Sequence, residues 1–164
     1  MIPVDLGNIL SSMYIQTVNI HIFTLISYKH EIKMVKFAYT ILYVQDVVKS
    51  IQFYTTAFGF EQRFIAPDNS YGEIITGNTT LSFAATTLAK TNLKDGFVES
   101  SLTQRPFGIE IGFTTDNVDA LIQSAINAGA TLIEKPKTKP WGQVVAYVRD
   151  IDGFLIEICT PMSE

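Results

Sequence analysis

A chain of 164 residues with 47 % hydrophobic and 12 % aromatic side chains is long enough for one domain with a substantial core. Sixteen acidic against twelve basic residues give a net charge of −4, with no basic stripe or tail to hold nucleic acid. The single cysteine, Cys159, excludes an internal disulfide framework and fits a reducing, cytoplasmic compartment.

Residues 1–33 differ in character from the rest of the chain. They hold both histidines, His21 and His30, and their apolar stretch Met13–Ile26 is interrupted by Gln16, Asn19 and His21. No Lys or Arg precedes that stretch, as a signal peptide requires, and it is too short and polar to span a bilayer. The expectation is an N-terminal extension outside the core fold, with an added strand or helix on the domain as the alternative. The domain itself is expected over 34–164, as a first unit (36–86), a linker (87–106) and a second unit (107–161).

The first unit opens with a strand at Phe37–Val44. Asp46 is a candidate N-cap, and Val47, Ile51, Tyr54 and Phe58 follow at i, i+4, i+7 and i+11, one face of a helix. Tyr54 is expected in the core with its hydroxyl at the rim. Gly59 marks the helix end, and Phe60–Ile65, Tyr71–Thr76 and Thr79–Ala84 read as three strands. The segment Thr87–Pro106 is polar and lacks strong periodicity, which suits either a flap near a pocket or a plain linker.

The second unit repeats that order. Phe107–Thr115 is a strand, and Asp116 or Asn117 caps a helix carrying Val118, Leu121, Ile122, Ala125 and Ala128 that Gly129 closes. A short strand at Ala130–Lys135 leads to a loop at Lys137–Gly142. Val144–Val148 and Phe154–Cys159 are joined by a tight turn at Asp150–Gly153. Arg149 and Asp150 read as an ion pair of that turn, Lys135, Lys137 and Lys139 as a solvated edge, and Cys159 as a buried, inert thiol. When Tyr39 is set beside Glu110, Asp46 matches Asn117, Val47 matches Val118 and Ile51 matches Ile122. A strand-helix-strand-strand-strand unit is therefore present twice.

On these features, and on Tyr39-Thr-Ile-Leu-Tyr-Val-Gln-Asp-Val, Phe53-Tyr, Phe58-Gly-Phe, Ala128-Gly-Ala and Asp150-Ile-Asp-Gly-Phe-Leu-Ile-Glu157, the chain resembles the vicinal oxygen chelate superfamily over Met34 to Met162. That group holds glyoxalase I, bleomycin-resistance proteins and extradiol dioxygenases. The resemblance implies an α+β fold of two tandem βαβββ modules, whose curved mixed sheets surround a cavity, and the pairing of two chains as a homodimer. It also implies that metal ligands come from the first and last strands of each module. The matching positions here are Tyr39, Ser82, Glu110 and Glu157.

Nickel, zinc and non-haem iron favour imidazole, and no histidine occurs between Lys33 and Glu164. Two carboxylates, a phenol and a hydroxyl suit at most a loosely held Mg²⁺ or Mn²⁺, so no metal and no cofactor is expected. Glu110 and Glu157 each stand alone in an apolar strand. A carboxylate so placed needs a partner, a raised pKa or water, unless strand alternation turns it to solvent. Facing one cavity, the two would repel, raise at least one pKa, and suit proton abstraction or cation binding. Trp141, in Lys139-Pro-Trp-Gly-Gln143, either lids a pocket and stacks on a planar or cationic ligand, or packs on the helix. Glu73 either adds a third carboxylate or serves the sheet surface.

The expected function is metal-independent binding of a small, cationic or aromatic molecule by Tyr39, Glu73, Ser82, Glu110, Trp141 and Glu157, as in bleomycin-resistance-like proteins. The alternative is a glyoxalase-like (lactoylglutathione lyase-like) lyase or isomerase with Glu110 and Glu157 as catalytic acid and base. An extradiol-type dioxygenase is disfavoured by the missing histidines. No nucleic acid and no membrane partner is expected.

Overall fold

The computed structural model describes residues 16–17 and 35–162. The expected extension at residues 1–33 therefore lies, but for residues 16–17, outside the described residues, and the fold belongs to the unit that begins at Ala38. Its elements are β1 (Tyr39–Val44), α1 (Val47–Phe58), β2 (Glu61–Ile65), β3 (Tyr71–Ile75), β4 (Thr80–Ala85), α2 (Thr86–Asn92), β5 (Glu110–Thr114), α3 (Val118–Asn127), β6 (Thr131–Thr138), β7 (Val144–Arg149) and β8 (Leu155–Cys159). Two four-stranded mixed sheets result, ordered β1-β4-β3-β2 and β5-β8-β7-β6. In each, the first strand pairs parallel with the last, and the remaining pairs are antiparallel. The duplication read from the sequence is thus a duplication of topology.

Local chemistry sets the helix ends. Asp46 Oδ1 accepts from the Lys49 amide at 3.1 Å, and Asn117 Oδ1 from the Ala120 amide at 3.0 Å, caps typically worth about 1 kcal/mol each. Gly59 (φ +72°) and Gly129 (φ +114°) follow the helices with left-handed backbone, which glycine adopts at no steric cost.

Each strand then sorts its residues by alternation. Leu42, Val44, Ile74, Leu81 and Phe83 of the first sheet face α1, and Ala146, Val148, Ile156 and Ile158 of the second join Val118, Ile122 and Ala125 of α3 in the same core. Aromatic rings seam the modules together: Phe58 lies 4.9 Å and Phe60 5.0 Å from Phe113. The opposite face of each sheet is left for other work.

Four expectations are corrected. The Tyr54 hydroxyl is not at the rim. The residue is fully buried and donates to Asp150 Oδ2 at 2.8 Å, because the β7–β8 turn brings a carboxylate into the core. Arg149 and Asp150 do not pair, since neighbours in a strand point to opposite faces. The Asp150 Oδ1 instead accepts from the Asp152 and Phe154 amides, and the Arg149 guanidinium donates to the carbonyl oxygens of Ser101, Gln104 and Gly153. The segment after β4 is not featureless either: its start is α2, Phe97 packs on Tyr43 at 4.7 Å, and Glu99 bonds Lys90 and Gln45. With Arg149 gripping Ser101 to Gln104, this connection is strapped down. The expected Lys137–Gly142 loop is also shorter, because β6 runs on through Pro136 to Thr138. Its position at the sheet edge tolerates a proline there, and Lys137 pairs with Glu134 at 2.7 Å.

Burial lifts the Asp150 carboxyl to about 6, against an ordinary 3.8, while the Tyr54 hydroxyl and the two amides oppose the rise. Folding therefore takes up a proton between these values, and this group adds stability as pH falls through about 6, levelling off below about 4. The gain should reach at most about 3 kcal/mol and should vanish in Asp150→Asn, measured by urea unfolding of both proteins from pH 7.5 to 4.5. Identical pH profiles for the two would contradict this assignment.

Candidate functional site

The open face of the second sheet carries two of the candidate carboxylates. Alternation places Glu110 and Gly112 of β5 on the face that also bears Glu157 of β8 and Tyr147 of β7, because Gly112 pairs with Glu157 and Glu157 with Tyr147. Tyr147 donates to Glu157 Oε2 at 2.8 Å. Glu110 reaches the same carboxylate. Burial first, then the negative charge and hydrogen bond of Glu157, raise the Glu110 pKa, and Lys139 partly offsets the rise. The two glutamates thus share one face of the sheet and interact electrostatically. The Tyr147 hydroxyl is pushed up to about 12, chiefly because it donates to Glu157, so it stays a donor throughout the physiological range.

Glu110 also lines a cavity of about 450 Å³ between β5 and the β1, β3 and β4 side of the first sheet. Its walls mix the hydroxyls of Thr40, Thr76, Thr79 and Thr80 with apolar Leu42, Leu81, Ile109 and Phe113. A hollow of about 350 Å³ at the start of α1 is a poorer candidate. There Asp152 accepts from Ser50 at 2.7 Å and Asp46 caps the helix, so its acidic groups are already engaged.

The other candidate residues are more dispersed. Ser82 is fully buried in β4, and Tyr39 is half exposed in β1. Glu73, opposite Ser82 in the ladder, accepts from Tyr71 at 2.9 Å and from Arg63 at 3.2 Å. Its carboxylate is thus held by the first sheet. Burial raises the Tyr71 pKa, and the Ser82 hydroxyl tempers the rise. Trp141 stands on the β6–β7 turn, 62 % exposed, with Nε1 donating to Gln143 at 3.0 Å, so it does not pack on a helix. Cys159 is buried, and its thiol is pushed up to about 11, mainly by burial. Among the described residues no three acidic, histidine or cysteine side chains cluster as a metal site. The donor set does not suit nickel, zinc or iron.

A family model, Glyoxalase-like domain, matches residues 37–163. The chain belongs to the glyoxalase-like domain family. Similar solved structures include a glyoxalase-related enzyme from Fulvimarina pelagi, 22 % identical over 78 % of this chain and 89 % of that one, with a TM-score of 0.66. A glyoxalase/bleomycin resistance protein/dioxygenase family enzyme from Burkholderia phytofirmans PsJN is 26 % identical over 77 % and 98 %, also at 0.66. A superfamily member from Sphaerobacter thermophilus is 21 % identical over 78 % and 99 %, at 0.58. No curated protein matches. This glyoxalase-like domain is a member of the vicinal oxygen chelate superfamily, as its sequence motifs implied.

Sequence reasoning missed Tyr147, although a signal existed. The turn at Asp150–Gly153 pairs Arg149 with Leu155, and counting back two residues on each strand sets Tyr147 against Glu157. The threonines of the cavity had no such signal, because their convergence depends on how the sheets approach one another.

Glu157→Gln removes the negative charge beside Glu110 and should bring the Glu110 titration midpoint down toward the ordinary glutamate range, read by carboxyl ¹³C NMR. An unmoved midpoint would show that the two side chains do not interact.

Proposed function

We propose that this glyoxalase-like domain binds a small cationic molecule with an apolar or aromatic body, without a metal. One observation carries the reading: Glu110, on the same sheet face as Glu157 and with its pKa raised in part by that neighbour, lines a cavity with apolar and hydroxyl walls. A protonated amine would relieve the repulsion between Glu110 and Glu157, and the apolar walls would take its body. Trp141, largely exposed on the β6–β7 turn of the same sheet, supports stacking over a planar ligand. Tyr39, Phe64 and Ile75 share the open face of the first sheet and are partly exposed, which supports a second copy of the chain covering that face and completing the cavity walls. The raised Glu110 pKa favours a second reading, a glyoxalase-like lyase or isomerase with the pair as acid and base.

Charge behaviour separates the two. For a binder, affinity for an aromatic ammonium compound should fall as the carboxylates protonate, and Glu157→Gln should weaken it by about 1.5–3 kcal/mol in calorimetry. For an enzyme, Glu157→Gln would leave binding largely intact and abolish turnover of α-ketoaldehyde–thiol adducts. Robust turnover with no ammonium binding would overturn the binding reading. Elemental analysis should find no stoichiometric nickel, zinc or iron, and close to one equivalent of any would contradict metal independence.

A further inference from the structure

Gly112 lies in the middle of β5, on the open face, directly beside Glu157 in the ladder. Glycine is a costly strand residue. It packs nothing and is about 0.5–1 kcal/mol worse than alanine in such a position. Two structural demands usually account for one: left-handed backbone, or a neighbour too close for a side chain. Neither holds here. The Gly112 backbone is not left-handed, and a Cβ placed on it would meet no atom within 4 Å. Gly72 of β3 shows the contrast, since a Cβ there would fall 2.5 Å from Ile51 Cδ1 and 3.0 Å from the Phe64 carbonyl oxygen. Gly72 serves the packing of α1 on the first sheet. Gly112 leaves open a space that the fold does not need.

That space has a definite address. One flank of Glu157 is taken by Tyr147, which donates to it. The other flank faces β5, the edge strand of the sheet, and the residue there is Gly112. Glu110 stands one pleat along on the same face, and both Glu110 and Gly112 line the cavity. A side chain at 112 would project from the strand that lies beside Glu157 and also lines the cavity, on the face that bears the Glu157 carboxylate.

We infer that Gly112 is a specificity-determining residue: it holds open the approach to the Glu110–Glu157 pair for bulky ligands, selecting protonated alkylamines or amidines whose charged group is carried close to a flat apolar body. The inference rests on the acidic-pocket reading of the function. A β-branched residue at 112 would improve the strand and close the approach, trading function for stability.

The test uses the full chain with 1-naphthylmethylammonium as probe and 1-naphthylmethanol as its neutral counterpart. Calorimetric affinity and thermal midpoint are measured for wild type, Gly112→Ala and Gly112→Val. The expected result is a graded loss of ammonium binding, at least tenfold for Gly112→Val, with midpoints equal to or above wild type. Binding by Gly112→Val within twofold of wild type would overturn the inference. A midpoint several degrees lower would also overturn it, by showing that the glycine serves the fold. Both of those outcomes leave the wild-type preference for ammonium over alcohol intact. Loss of that preference in the wild type itself, or no binding of either probe, would overturn the acidic-pocket reading and the inference together.

Discussion

The hydrogen bond from Tyr54 to Asp150 holds the molecule's logic together. It is buried, it crosses from the helix of one module to the β7–β8 turn of the other, and its acceptor also takes two amides of that turn. Fixing the turn fixes the hairpin register, and the register decides which residues meet on the open face. A slip of one position would send Glu157 into the core and Ile158 into the site. The site chemistry is therefore downstream of a structural bond on the other side of the sheet. Asp152 reinforces the junction through Ser50, one helical turn before Tyr54.

Much of this was legible in the sequence. One helical and four alternating segments occurred twice in the same order, and the cap candidates, Asp46 in the first unit and Asp116 or Asn117 in the second, marked the main helix of each. The pairing of Glu110 with Glu157 was legible because both lay in apolar strands, where a lone charge must answer to something. What could not be read was long-range partner choice. The Arg149 guanidinium bonds carbonyl groups more than forty positions away, and Asp150 finds its partner in the other module. Carbonyls carry no residue identity, so no spacing announces them. Trp141 illustrates the same limit from the other side. Its loop was plain from Pro140 and Gly142, but its exposure depends on how far β6 extends.

The family fixes a scaffold without fixing a chemistry. Here the scaffold lacks imidazole, and its acidic positions are supported by a phenol, Tyr147, in place of further metal ligands. The open flank at Gly112 then matters, because it decides what can reach the pair. Thermodynamics of the strand alone would choose a larger residue there.

The most direct measurement is a two-dimensional NMR titration of the full chain with 1-naphthylmethylammonium, which reports where binding occurs. The account predicts amide shifts centred on Glu110, Gly112, Tyr147 and Glu157, with the hollow at Asp46, Ser50 and Asp152 unaffected. Shifts confined to that hollow, or none on the open face of the second sheet, would contradict it.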